Sequence, residues 1–110
     1  MCMKKVGKMR LWLDDIRPAP SGWMHVKTVP EAISILETVQ VGEISLDNDL
    51  GFGLDEGVAL LDWMEKELRI SGRMPPKIIH IHTGDVHAER HMLVVRDRIY
   101  ELVAKQTKKP

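Results

Sequence analysis

The chain has 110 residues, 44% hydrophobic and 29% charged, with 16 basic residues against 16 acidic. That suffices for one globular domain with one core, is too short for two, and is too apolar for a disordered segment. Balanced charge gives no argument for a nucleic-acid or membrane partner, so no DNA sequence recognition is expected.

The charge is unevenly spread, however. No Lys or Arg lies between Thr28 and Glu65, a span that holds Glu31, Glu37, Glu43, Asp47, Asp49, Asp55, Glu56, Asp62 and Glu65. An acidic middle between basic ends suits a cation site better than a nucleic-acid face, although a solvated acidic helix surface accounts for most of these residues. Cys2 is the only cysteine, so an internal disulfide cannot form and a reducing compartment is expected. MCMKKVGKMR has no apolar h-region after its charges, and no run approaches the roughly 20 apolar residues of a membrane span. The expectation is a cytoplasmic protein.

Residues 1–9 read as a flexible lead. Arg10 to Leu13 opens the fold as a short apolar strand that runs into Asp14 and Asp15. DDIRPAPSG, to Gly22, is a loop, since Pro18 and Pro20 lack backbone donors and push their predecessors away from helix. Trp23 to Lys27 reads as an edge strand, with Trp23 a core or rim anchor. TVPE, Thr28 to Glu31, is a capping box with Pro30 in the first turn. A helix therefore begins there, with Ala32, Ile33, Leu36 and Val39 on one apolar face, and Gly42 ends the segment.

Glu43 to Gly53, EISLDNDLGFG, is the stretch around which the rest is organised. Ile44 and Leu46 supply the packing of a buried strand, and Ser45 is small enough to lie between layers. The strand ends at Asp47, with Asp49 two residues on. In α/β sheets, ligands bind outside the carboxyl ends of parallel strands. If the two acid-ended strands are neighbours, their carboxylates meet at one edge of the sheet. Two like charges about 4 Å apart repel by roughly 1 kcal/mol in water and roughly 4 kcal/mol at an effective dielectric of 20. Either protons or a divalent ion must relieve them.

Gly51, Gly53 and Gly57 then turn the chain into a helix from about Asp55 to Ile70, with Val58, Leu61, Met64 and Leu68 as its buried stripe and Trp63 flanking it. SGRMPP is a loop, and Lys77 to His82 is a strand. Thr83 to Asp85 makes a turn and cap. A last helix runs to about Ala104, with Met92, Val95, Ile99 and Leu102 facing the core, and 105–110 is a flexible tail. One domain spans 10–104. The alternation of strands and helices predicts a parallel sheet with right-handed crossovers and helices on both faces.

The acids suit Mg²⁺ held by one or two of Asp14, Asp15 and Asp47, with Asp49 as a further carboxylate. The other reading makes two of them caps or turn formers. DNDLGFGLDE fails as an EF-hand loop, because Phe52 stands where glycine is required. Arg17 either clamps a phosphate or pairs with Asp15. His80 and His82 face the same way, two apart on a strand, without a third ligand to make a zinc site. His82, at the strand end, serves as proton donor or phosphate contact, and His80 is a packed histidine. His87 and His91 read as surface residues. Ser21, Ser34, Ser45 and Ser71 lack the strained Gly-x-Ser-x-Gly setting of a nucleophile.

A short apolar strand into a double Asp, a later one into LD and a third into Thr83 resemble a response-regulator receiver domain. By that resemblance Asp14 and Asp15 are metal residues, Asp47 is the phosphoryl acceptor and Thr83 the phosphate contact. LDDIRPAP, a following Trp, T-x-x-EA-I, ISLDNDLG, a glycine-led helix with Trp63, and IHIHT before a helix resemble more closely the cyclic-phosphate processing receiver domains. This covers Arg10 to Met92. Gly84, Asp85 and Val86 depart from that group's Asn-Pro-x-Gly turn. The resemblance implies a truncated receiver-like (flavodoxin-like) α/β fold, a three-layer sandwich around a mostly parallel four-stranded sheet, without the receiver's fifth strand and its lysine. It also implies Mg²⁺-dependent hydrolysis or phosphoryl transfer on a phosphorylated or cyclic-phosphate small molecule or RNA end. In that reading Asp47 is nucleophile or base, His82 assists proton transfer, and Arg17 and Thr83 bind the phosphate. A phosphoaccepting or non-catalytic receiver-like binding module stays open beside it.

Overall fold

The computed structural model describes residues 9–49 and 56–107. The expected flexible lead before Met9, the turn at Gly51 and Gly53, and the end of the tail lie outside the described residues. The elements are β1 (Met9–Leu13), β2 (Met24–Val26), α1 (Val29–Thr38), β3 (Val41–Leu46), α2 (Gly57–Ser71), β4 (Ile78–Ile81) and α3 (Val86–Thr107). All pairings are parallel, in the order β2-β1-β3-β4. This is the expected class, a truncated receiver-like α/β fold on a four-stranded sheet.

Local chemistry sets the helix ends. Thr28 Oγ1 accepts from the Glu31 amide at 3.3 Å, and Glu31 Oε1 accepts from the Thr28 amide at 3.2 Å. The capping box thus starts α1 where TVPE places it. Gly72, at φ 73°, closes α2 in the left-handed region that favours glycine. Asp85 Oδ1 accepts from the amides of His87 and Ala88 at 3.0 and 3.2 Å and so caps α3. That helix runs to Thr107, past the boundary near Ala104 read from the sequence.

The layering differs from expectation in one respect. Leu11, Ile44 and Ile79 are neighbours across the register, as are Leu13, Val26 and Leu46, so all six share one face of the sheet. They form one continuous core with Leu60, Leu61, Met64 and Leu68 of α2 and Met92, Val95 and Ile99 of α3. The crossovers β2 to β3 and β3 to β4 step in the same direction across the sheet. Right-handed connections then put α1 and α2 on the same side, where α1 packs on α2 and α2 on α3. The result is two layers rather than helices on both faces.

The second face carries Arg10, Trp12, Glu43, Ser45, Ile78 and His80. Polar and aromatic contacts tie it together: Glu43 meets Arg10 Nε at 3.3 Å and His80 Nε2 at 2.6 Å, and Trp23 packs edge-on to Trp12. His80, expected to be packed, is exposed here.

At the outer edge of the sheet, α3 takes the place of a further strand. The Ile79 amide donates to Tyr100 Oη at 2.8 Å, and the Ile79 carbonyl accepts from Arg96 Nη1 at 3.4 Å.

The α2–α3 contact holds an acid that the sequence reading left on a solvated surface. Glu65 accepts from Arg98 Nε and Nη2 at 2.8 and 3.0 Å and from Arg69 Nη2 at 2.9 Å. The Arg98 bonds, with Arg69 and against the cost of burial, hold its carboxyl below the usual glutamate value. A group with a lowered folded pKa adds stability above its unfolded pKa, and that contribution is lost as pH falls through the folded value. Both arginines are about half-exposed, which weakens the pairs. Glu65→Gln is therefore expected to cost about 1–2 kcal/mol at pH 7. The gap to wild type should close as urea titrations move to acid below the glutamate range. A gap independent of pH would show that packing, not charge, holds the contact.

Candidate functional site

Parallel strands bring their carboxyl ends to one edge, and Asp14, Asp47 and His82 follow directly on β1, β3 and β4. The ladder continues into them. The Asp47 amide donates to the Leu13 carbonyl at 3.0 Å, and the His82 amide to the Leu46 carbonyl at 2.9 Å. Each side chain thus leaves from backbone as fixed as the sheet.

Asp14 is 1% exposed. Its Oδ1 accepts from the Ile16 and Arg17 amides, both at 2.9 Å, as the DDIRP loop turns over it. Its Oδ2 accepts from His82 Nε2 at 3.1 Å. Burial raises the Asp14 carboxyl, but the two amides and His82 outweigh it and hold the group below the ordinary carboxylate range. Asp47 goes the other way. Burial and then the Asp14 charge push it up, against the amides of Asp49 and Asn48. Of two carboxyls at one site, Asp14 is the fixed anion and Asp47 the one inclined to hold a proton.

Asp15 completes a triad. One oxygen from each of Asp14, Asp15 and Asp47 lies within 4.8 Å of the others. Asp15 Oδ1 is buried and accepts no hydrogen bond among the described residues, and a buried acceptor without a partner calls for one. Asp14 Oδ1 is filled by its two amides, while Oδ2, with one donor, keeps a lone pair. An all-carboxylate set of this kind fits a hard cation such as Mg²⁺ rather than zinc or copper. Asp49 is not in this group. The chain turns after Asp47, so the two residues no longer share a strand face, and Asp49 gives its amide to Asp47 instead.

Arg17 bridges the mouth of the site. Its Nη1 donates to the His82 carbonyl at 3.0 Å, and its own carbonyl accepts from Trp12 Nε1 at 3.2 Å. The alternative ion pair to Asp15 is not formed among the described residues. Thr83 follows His82; its Oγ1 accepts from the Asp85 amide at 3.2 Å, which leaves the hydroxyl hydrogen for another acceptor. His87 and His91 are exposed on α3, outside the site.

Four contributors were not assigned to the site from the sequence. Trp12 stacks on His82, centroids 4.0 Å apart and planes 9° from parallel. Ser45 Oγ lies 2.6 Å from His82 Nδ1, and His25 Nε2 donates to the Asp14 carbonyl at 2.7 Å. Asn48 accepts from the amides of Gly57 and Val58 and so ties the end of β3 to the start of α2. A usable signal existed for two of them. Period-2 alternation puts Trp12 on the side of Asp14, and Ser45 on the side of Asp47.

Concavity alone would point elsewhere. A cavity of about 400 Å³, lined by Leu36, Val39, Val41, Trp63 and Met74 among others, opens at the amino-terminal end of β3, across the sheet from the acids.

A family model described as the cyclic-phosphate processing receiver domain matches residues 9–98. No curated protein and no solved structure matches the chain.

Proposed function

The chain belongs to the cyclic-phosphate processing receiver domain family, and we propose that its strand-end site opens or transfers a phosphate ester of the cyclic-nucleotide or 2′,3′-cyclic-phosphate kind with the help of Mg²⁺. The observation that carries this reading is the acid triad, with an Asp15 oxygen that has no partner among the described residues, and the Arg17 cation held on the neighbouring His82 carbonyl. Asp14 Oδ2, Asp15 Oδ1 and Asp47 are the groups that would hold the ion. Bound there, Mg²⁺ supplies charge neutralisation and polarisation at a phosphate oxygen.

The chain's own residues do the rest. Arg17 uses one donor on the His82 carbonyl, and the remaining fork matches two phosphate oxygens. The Thr83 hydroxyl offers one more donor. Asp47, raised towards holding a proton, takes the proton of an attacking water as the new P–O bond forms; one ester P–O bond breaks, and Asp47 passes that proton to the leaving oxygen. The same carboxylate attacking phosphorus directly is the phosphoaccepting variant.

Phosphorus NMR on a panel of cyclic mononucleotides, 2′,3′-cyclic phosphates and acetyl phosphate, with and without Mg²⁺, tests the reading. Mg²⁺-dependent conversion of a cyclic phosphate to a monoester is the expected result. A stable phosphoprotein from acetyl phosphate with no ring opening would replace it with the phosphoaccepting module, and silence throughout would leave a binding module.

A further inference from the structure

We propose that Ser45 is a positioning residue for the acid triad: its hydroxyl fixes the His82 ring as a donor aimed at Asp14. The inference rests on the reading of the triad as a cation and phosphate site, but its geometry stands by itself. Ser45, His82 and Asp14 form a chain, Oγ to Nδ1 at 2.6 Å and Nε2 to Oδ2 at 3.1 Å. A serine, a histidine and an aspartate in line suggest a nucleophile and its base. Burial rules that out, since Ser45 is 3% exposed and sits one residue before the end of β3, paired with Trp12 of β1 on one side and His80 of β4 on the other. A hydroxyl that no substrate reaches acts through the ring it touches.

The direction of each bond follows from the acceptors. Asp14 is an anion saturated at Oδ1 by two amides, so the hydrogen between it and His82 belongs to Nε2. In the neutral ring Nδ1 then carries a lone pair, and only a donor can face it. Ser45 is that donor. Trp12 stacks flat on the ring and stops it from swinging out. Both ring nitrogens are thus engaged, and His82 acts by orienting Asp14, turning its remaining lone pair on Oδ2 to Asp15 and Asp47. Orienting partners of this kind typically set metal affinity by 10- to 100-fold when removed. The tightness of the Ser45 bond is what makes the ring a fixed part rather than a rotor.

The Ser45→Ala substitution removes one oxygen and leaves a shorter side chain, so folding should survive it. Two measurements then apply. Nitrogen-detected imidazole spectra of the metal-free protein at neutral pH should show His82 with a protonated Nε2 and a hydrogen-bonded Nδ1. In Ser45→Ala the Nδ1 signal should move to that of a free acceptor or broaden by ring motion, with Ser45→Thr restoring it. Mn²⁺ binding, read by its electron spin resonance signal, should weaken by about 10-fold in Ser45→Ala. An unchanged His82 signature in Ser45→Ala overturns the proposal. A changed signature with unchanged Mn²⁺ affinity overturns the step from His82 to Asp14. If wild type binds no Mn²⁺ at all, the cation reading fails, while the imidazole signals still decide whether Ser45 holds the ring.

Discussion

Asp47→Asn is expected to lower ring-opening turnover by about 10³-fold or more while leaving the protein folded and no less stable. The two halves of this result have one cause. Asn keeps the shape and the amide contacts from Asn48 and Asp49 but can neither take a proton nor attack phosphorus. Burial and the Asp14 charge raise the pKa of Asp47 in the folded state, so above that value the ionised group costs the fold stability, and the cost fades as pH falls through it. Removing the charge removes the cost, and thermal unfolding at pH 7 should show a melting temperature equal to or above that of wild type. Millimolar Mg²⁺ should raise the wild-type melting temperature by mass action and raise that of Asp47→Asn less. Full turnover in the variant would remove Asp47 from the chemistry.

The second large effect comes from a residue with no functional group. Gly57 is the first residue of α2, and its amide donates to the Asn48 carbonyl at 3.0 Å. A Cβ on Gly57 would overlap the Asp47 carbonyl oxygen. Helix propensity alone predicts that Gly57→Ala gains about 1 kcal/mol. The overlap is with backbone held by the sheet, so it cannot be relieved by a rotamer change, and forced overpacking costs about 1–3 kcal/mol or more. The clash should win, for a net loss of about 2 kcal/mol and a melting temperature lower by roughly 10 °C. Because the displaced atoms belong to Asp47, turnover should fall by about 10²-fold beyond what the stability loss explains. A variant that melts higher than wild type would show that α2 sits further from β3.

The sequence carried what is local. TVPE signalled its own capping box, the LDD and SLD strand ends gave two parallel strands, and Asp14, Asp15 and Asp47 do meet. The rest depends on neighbours far along the chain. The Ser45–His82 contact joins residues 37 apart, and Glu65 is buried because Arg98, 33 positions on, reaches it. Alternation put His80 and His82 on one side of their strand and could have put Trp12 with Asp14 and Ser45 with Asp47, yet which side the helices cover follows from strand order, and no single strand encodes that. Asp49 reads as a strand-face partner of Asp47 only if the strand continues, and the turn after Asp47 ends that relation. On α2 the helical phase was off by a step at Leu60, which is fully buried. Thr83 looks the same in sequence whether its hydroxyl is free or partly used by the Asp85 amide.

The hold of α3 on the β4 edge has a consequence for biosynthesis. Tyr100 and Arg96 close the Ile79 amide and carbonyl, and both residues lie some twenty positions downstream of the strand they protect. A nascent chain that has released β4 from the ribosome but not yet Tyr100 therefore presents an unpaired parallel edge, the template on which strands of other chains add. The interval is short, because the closing helix is the next element made. In this fold α3 does for the sheet what a chaperone would otherwise do, and protection of the edge is complete only once Tyr100 has emerged.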